Sequence, residues 1–448
     1  MCVRVYVWLA KGWFLIALEF FFLLKNSGGE ALQPPRTYIQ AMGKQYITTV
    51  SASQAHKSDI LGLAITPRYT ITVSSDGYAK FWDNKKDEVH NPKEFVQSVF
   101  VDKSGIHHLA VYENKIPSST IKVTIVAFGC FNGLMKFKQF VNDDLTTLQD
   151  CDFELSKSWV PGFYVDPESK QDYFIVNKMN GVTEVYTVTV TAEKDKADSI
   201  TFTKYGDLRS GATPNSSSSS SSSTTTSSSS PFAISLAVNQ TDNKKCAVGY
   251  INGDVLLYDF QNLKVVYTFR STDLVVSRNP KLNSSSSSSS SIPRAIAFSP
   301  GGTLLAVARD NQAAGSITLY DVQYGENVGT LATPSHSAKS GVVGGFAHQG
   351  WILGLDFDQE GKNLVSCGFD KCVRVWNLET SEREATINIS ITDLDDASND
   401  DLQDESVASG VKFIGKGVRG GAGGDSNEGI CVISFDRGIR WYREAGGV

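Results

Sequence analysis

After Met42 the apolar residues rarely fall at helical spacing. They come as short alternating or continuous runs, separated by Gly, Asn, Asp, Ser and Pro, a pattern that predicts many short strands. The unit that returns is strand, tight turn, strand, with Asp-Gly or Asn-Gly at the turn or another residue in place of the Gly. It reads "SSDGYAKFWDN" (74–84), "GCFNGLMKF" (129–137), "KMNGVTEVY" (178–186), "YINGDVLLYD" (250–259), "CGFDKCVRVWN" (367–377) and "SFDRGIRWY" (434–442). A longer-looped version is "ARDNQAAGSITLYD" (308–321), which makes seven units. A large ring follows the turn Asp or Asn by six positions at Trp82, Tyr186, Tyr258, Trp376 and Tyr442, while the second unit has Lys138 there.

A few antiparallel strands cannot hide both faces alone. Radial stacking of such sheets around an axis buries the faces and shelters the edges. The expected fold is therefore all-β, a seven-bladed β-propeller. The strand "YITTVS" (46–51) has no blade of its own. It is expected to pair beside the C-terminal "GIRWYREAGGV", so that both ends of the chain close the ring and two sheet edges vanish.

Three segments stand outside this pattern. Polyserine at 215–230 and 283–291 buries nothing, and "TDLDDASNDDLQDES" (392–406) is acidic. Disordered loops are expected at about 210–230, 280–291 and 389–408. The first 41 residues contain the apolar run Val3–Leu24, interrupted by Arg4, Lys11 and Glu19. Three charges are costly in a membrane span, and no convincing cleavage site supports a signal peptide. The favoured reading is that Met42 is the biological start. Residues 1–41 are then a non-native or targeting-like extension outside a propeller spanning 42–448.

Composition narrows the function. A net charge of −6 argues against a broad nucleic-acid-binding surface. The seven cysteines are scattered, odd in number and without C-x-x-C, which fits reduced thiols better than a disulfide framework or a zinc site. "GKGVRG" (415–420) matches G-x-G-x-x-G, but a loop and a strand follow where a dinucleotide site needs a helix, so a flexible loop is expected. His107 and His108 are adjacent on a strand and should face opposite ways, one packed and one exposed, unable to share a metal. His90 and His336 have no ligand-like company. Sequons at Asn215, Asn239, Asn283 and Asn388 matter only for a secreted chain. No catalytic set, cofactor or metal is expected.

What remains is surface. The residue before the turn Asp or Asn is Ser75, Phe131, Met179, Ile251, Phe369 or Phe435, and five of these six are large and apolar. Turn tips are usually polar. In a propeller these tips circle one end of the central channel. By alignment of the repeats, Leu61, His107, Trp159, Arg294, Trp351 and Leu353 stand beside them at the starts of the innermost strands. An exposed apolar circle marks a docking site, with aromatic and Arg anchors. The competing reading is that each side chain folds back onto its own blade.

Two units carry more. His348, Ser366, Asp370 and Trp376 keep the spacing of the WD-repeat family, and His56, Thr72, Asp76 and Trp82 repeat it. The resemblance implies a buried chain of hydrogen bonds running Trp, Ser or Thr, His, Asp, which is structural machinery and not a catalytic triad. Further phrases resemble one family in particular: "DGYAKFWDN", "KSGIHHLAV", "AIAFSPGGTLLAVARD", "GSITLYDVQYGENVGTL", "GGFAHQGWILGLDF" and "DRGIRWYREAGG". They are similar to the WD-repeat subunit of the fungal superkiller (Ski) complex over about residues 44 to 447, patchily in 140–235. That resemblance implies a non-catalytic scaffold in the cytoplasm. It would hold an RNA helicase and a tetratricopeptide-repeat subunit for exosome-mediated 3′-to-5′ mRNA decay and antiviral defence. It further implies a nuclear, meiotic role with a topoisomerase-like DNA-cleaving protein. In both settings the top face is expected to receive a short motif with Gln-Arg and an aromatic residue. The alternative is another WD-repeat adaptor, in a ubiquitin ligase or a chromatin complex. A secreted or enzymatic propeller would need a site-forming cluster that the sequence lacks.

Overall fold

The computed structural model describes residues 44–85, 93–116, 119–168, 171–193, 196–210, 230–270, 291–311, 314–333, 346–394, 406–419 and 429–445. The apolar segment 1–41, both polyserine tracts but for Ser230 and Ser291, His90 and His336 lie outside the described residues.

The described strands form seven four-stranded antiparallel sheets. After β1 (Tyr46–Ala52), the first blade is β2 (Ile60–Ile65), β3 (Tyr69–Ser74), β4 (Tyr78–Asp83) and β5 (Gln97–Phe100). The second is β6 (Ile106–Lys115), β7 (Lys122–Cys130), β8 (Met135–Val141) and β9 (Asp144–Asp150). The third is β10 (Ser158–Tyr164), β11 (Asp172–Lys178), β12 (Thr183–Glu193) and β13 (Lys196–Leu208). The fourth is β14 (Ala233–Val238), β15 (Lys245–Tyr250), β16 (Val255–Asp259) and β17 (Lys264–Phe269). The fifth is β18 (Pro293–Phe298), β19 (Leu304–Asn311), β20 (Ala314–Asp321) and β21 (Asn327–Leu331). The sixth is β22 (Ile352–Phe357), β23 (Asn363–Gly368), β24 (Cys372–Asn377) and β25 (Glu382–Asn388). The seventh joins β26 (Ala408–Phe413), β27 (Ile430–Ser434) and β28 (Ile439–Glu444) to β1.

The first strands of the blades touch in cyclic order, β2 to β6 and onward to β26, which returns to β2. The fold is therefore a closed seven-bladed β-propeller. Closure uses both ends of the chain as expected: Tyr46 pairs with Glu444 and Ala52 with Ile439, with a bulge between Thr48 and Val50. Second strands such as β3 and β27 are buried at every position, whereas outer strands such as β9 are largely exposed. A second strand has a neighbouring blade on both faces, so even its polar residues, such as Thr70 and Thr72 of β3, are buried and take hydrogen-bond partners inside the protein. The core accordingly lies between blades. Tyr112, Ile125 and Phe137 of the second blade pack with Phe163, Phe174 and Tyr186 of the third.

Two expectations need correction. The fifth unit has no long turn, because β19 and β20 stay paired out to Asn311 and Ala314. The acidic loop is shorter at its start than 389–408. Ile389 and Leu394 are buried, and a 3₁₀ helix at Ile391–Asp393 is capped by Ser390.

Candidate functional site

The two WD-spaced sets form the chain their spacing implies. In the first blade, Trp82 Nε1 donates to Thr72 Oγ1 at 3.0 Å. Thr72 Oγ1 lies 2.9 Å from His56 Nε2, and His56 Nδ1 lies 3.2 Å from Asp76 Oδ2. The backbone N–H groups of Lys57 and Tyr78 also donate to Asp76. In the sixth blade, Trp376 Nε1 donates to Ser366 Oγ at 2.8 Å, Ser366 Oγ meets His348 Nε2 at 2.7 Å, and His348 Nδ1 lies 2.8 Å from Asp370 Oδ1. Arg374 donates to Asp370 Oδ2 at 2.6 Å. The seventh blade has no such His. Buried Arg440 replaces it, donating to Ser434 Oγ at 2.7 Å and Asp436 Oδ2 at 2.6 Å. The His, Ser, Thr, Trp and Asp groups of these networks find partners inside blades and hold turns in place, while the buried Nε atoms of Arg374 and Arg440 make no hydrogen bond.

Each network ends at a turn tip on one face of the ring. There the same bond recurs in all seven blades: the tip residue donates its N–H to the carbonyl just before the innermost strand. The pairs are Ser75 to Asp59, Phe131 to Gly105, Met179 to Lys157, Ile251 to Phe232, Asp310 to Ile292, Phe369 to Trp351 and Phe435 to Val407, at 2.9–3.1 Å. Every innermost strand also carries a register shift at its start, for example between Ile60 and Gly62 and between Ile352 and Gly354. Leu61, His107, Arg294 and Leu353 are the residues in these bulges, and Trp159 lies in the wider one of β10. Bulges re-aim side chains. Here they turn the strand starts toward the tips.

The residues so collected form two apolar arcs. Phe131, Trp159 and Phe232 pack edge-to-face in blades two to four, where Met179 and Ile251 occupy the other tips. Trp351, Phe369 and Phe435 pack edge-to-face in blades six and seven, at ring separations of 5.5 and 6.0 Å. Phe131 is 44% exposed, Ile251 45%, Phe369 44%, Trp351 39% and Met179 38%, so these side chains are not folded into the blades. Leu61, Leu353, Trp159, Arg294 and Phe435 are half-buried. Polar groups separate the arcs. Ser75 bonds to Ser58 in the first blade. In the fifth, Arg294 pairs with Asp310 at 2.5 Å and lies 4.5 Å over Trp351. Sequence reasoning missed Asp310, Phe232, Ile234 and Ser409. Counting the tip as the residue donating to the strand-start carbonyl would have found the first. The equivalence of strand starts would have found Ile234 and Ser409.

His107 departs from its expected place in the exposed circle. It is buried, stacked on Trp159 with ring centroids 3.9 Å apart. The two histidines do not face opposite ways either. The bulge between Ile106 and His108 brings their Nδ1 atoms to 2.6 Å. Burial lowers the pKa of His107 to about 3, helped by His108, and that of His108 to about 4. "GKGVRG" is likewise no open loop up to Arg419. That guanidinium is buried 4.0 Å over Trp441 and donates to the Asp83 carbonyl at 2.9 Å, joining the seventh blade to the first. Asn239 is buried and bonded to Gly302, which leaves no room for a glycan. Among the described residues no cluster of three or more His, Cys, Asp or Glu could hold a metal, and no helix is long and apolar enough to cross a membrane.

Fold and networks together define a WD40-repeat propeller, a class that typically serves as a protein-binding scaffold. The WD domain, G-beta repeat family (WD40) matches residues 342–377. The antiviral protein SKI8 of Saccharomyces cerevisiae is 32% identical over 423 residues, covering 91% of this chain and 100% of that protein. Similarity to apoptotic protease-activating factor 1 of Homo sapiens is 35% over 101 residues, 22% of this chain and 7% of that protein. DDB1- and CUL4-associated factor 13 of Dictyostelium discoideum matches only 36 residues, at 47%. The chain belongs to the SKI8 family of WD40-repeat proteins.

Proposed function

We propose that this chain is the non-catalytic scaffold subunit of a superkiller complex. It holds an RNA helicase and a tetratricopeptide-repeat subunit for exosome-mediated 3′-to-5′ mRNA decay in the cytoplasm, and so restrains viral RNA. A nuclear pool serves meiotic double-strand-break formation with a topoisomerase-like protein. Nucleic acid and membrane are not direct partners of the propeller. The observation that carries this reading is the pair of half-exposed apolar arcs on the tip face, taken with full-length similarity to a protein named for antiviral action. The docking residues are Leu61, Phe131, Trp159, Met179, Ile251, Arg294, Trp351, Leu353, Phe369 and Phe435, with His107 supporting Trp159 from beneath. An aromatic face with a shielded Arg–Asp pair suits a peptide anchored by its own ring and cation.

The test is affinity purification through a C-terminal tag, with mass spectrometry of what co-purifies. Helicase and tetratricopeptide-repeat subunits are expected, and Phe369→Ser with Phe435→Ser should lose them. Ubiquitin-ligase or chromatin subunits in their place would establish the alternative adaptor reading.

A further inference from the structure

The seams between outer strands are not all closed in the same way. At blades three and four the Tyr205 hydroxyl, on outer strand β13, donates to the Gln261 carbonyl at 2.8 Å. At blades four and five Tyr267, on outer strand β17, donates to the Gln323 carbonyl at 2.7 Å. At blades one and two the bond to the next blade's turn, Tyr69 to the Asp143 carbonyl, comes from β3, two strands further in. The outer strands β5 and β9 are left apart, and a groove of about 700 Å³ runs between them. Every residue of β5 lines it, together with Tyr69, Leu145 and Leu148 of the core shared by these blades.

The β5 wall is an open sheet edge. Val101 donates its N–H to the Gly77 carbonyl, so the alternation of an antiparallel ladder makes Val99 and Gln97 the residues that bond to β4. The N–H and C=O groups of Ser98 and Phe100 then point to the open side. No charge guards this edge, whereas β25 carries Glu382, Arg383 and Glu384. Phe100 is 52% exposed. The groove is also acidic. Asp83, Asp144 and Asp150 line it against Arg68 and Lys138, and both cations are taken, by Asp83 at 2.6 Å and Asp150 at 2.5 Å. Asp144 and Asp150 stand on β9, across from β5.

We propose that this groove binds an extended segment of a partner protein, alternating apolar and basic residues, as a fifth strand on β5. The segment's backbone bonds to Ser98 and Phe100. Val99 packs on the core shared with blade two, so alternate side chains of the added strand turn toward β9 and the rest lie beside Phe100. Cations on the first set meet Asp144 and the second oxygen of Asp150, and apolar groups on the other set cover Phe100. The site lies on the side of the ring, apart from the tip face, so the propeller can hold a second partner while the tips are filled.

The experiment uses the full chain and two labelled peptides, one alternating valine and lysine and one alternating valine and glutamate, read by fluorescence anisotropy at low salt. The lysine peptide is expected to bind and to protect the Ser98 and Phe100 amides from hydrogen exchange, and the glutamate peptide is not. Ser98→Pro removes an outward N–H and spares the inner ladder, because an edge strand tolerates Pro where its N–H faces solvent. It should weaken binding about ten-fold, roughly the worth of one hydrogen bond, with an unchanged melt. Asp144→Lys, at an exposed position, should lose the lysine peptide and gain the glutamate one, and it keeps the test decisive if Ser98→Pro lowers the melt. Failure of the lysine peptide to bind at about 1 mM would overturn the assignment. So would equal binding of the two peptides, undiminished binding in Ser98→Pro, or a dimer of the chain that Ser98→Pro dissociates.

Discussion

His56 sits between two groups that fix its proton. Trp82 donates to Thr72 Oγ1, so the Thr72 hydroxyl has its own proton free for His56 Nε2, and His56 Nδ1–H is left for Asp76. The ring is neutral, and burial lowers its pKa below the usual 6.5 against the pull of Asp76. His348 is lowered in the same way, with Arg374 adding to burial. For Asp76 and Asp370, burial alone would raise the pKa, but the His partners, with backbone donors or Arg374, hold both at about 2. The unfolded chain therefore binds more protons than the folded one below about pH 6.5, and stability must fall as pH falls. The decline should start near pH 6.5 from the histidines and steepen below the ordinary carboxylate value of 3.8. Denaturant midpoints measured from pH 8 to pH 2.5 check this, and a flat curve between pH 7 and pH 5 would contradict the neutral assignment. Asp370→Ala strands Arg374 and His348 without their acceptor and should cost about 3–5 kcal/mol. Trp376→Phe loses the bond to Ser366 and leaves part of a fully buried indole's space unfilled, and should cost about 2–3 kcal/mol. The same midpoints at pH 7.5 rank the two.

β1 is the element on which closure depends. It covers the edge of β28, where Trp441 and Tyr442 are almost fully buried. Deleting residues 44–52 uncovers that edge and removes Val50 and Ala52 from the apolar cluster they share with Trp82, Ile439 and Trp441. An exposed strand edge pairs with other chains. The shortened chain should elute from size exclusion as aggregates and show no sharp melt. A monomer with an unchanged melt would mean that β28 alone suffices as an edge. The repeated bulges are the second feature at this scale. Alternation predicts opposite faces for neighbouring residues, and that expectation failed at His107 and His108 because one extra residue shifts the register there.

Each blade shares its core with the next, so the ring should unfold as one unit. Calorimetry of Asp370→Ala should give one transition at lower temperature; a separate early transition would show an independently melting sixth blade. The tip face behaves differently. Phe369 is nearly half exposed and Phe435 lies at the same rim, so replacing both with Ser should cost about 1 kcal/mol each. A melting temperature within a few degrees of the parent, with partners lost, separates a docking face from a packing one. A large stability loss would return these rings to the core.

The turn signals, the seven units and the spacing of His, Ser, Asp and Trp were legible because each lies within one repeat. Closure by β1 was legible because a strand without a blade has one edge left to join. Tertiary structure alone decided what crosses between blades or departs from alternation. Arg419 reaches Asp83 across 336 residues, and nothing local to "GKGVRG" announces that contact. Arg440 takes the place of a missing His because its guanidinium reaches two acceptors on its own hairpin, Ser434 and Asp436, and the Ser390 carbonyl beyond it. Asp310 stands at a rim whose other tips, Ser75 apart, are apolar, because Arg294 on the neighbouring strand is there to pair with it. Local patterning set the strands and turns of this propeller, and packing between distant segments set the chemistry of its rim.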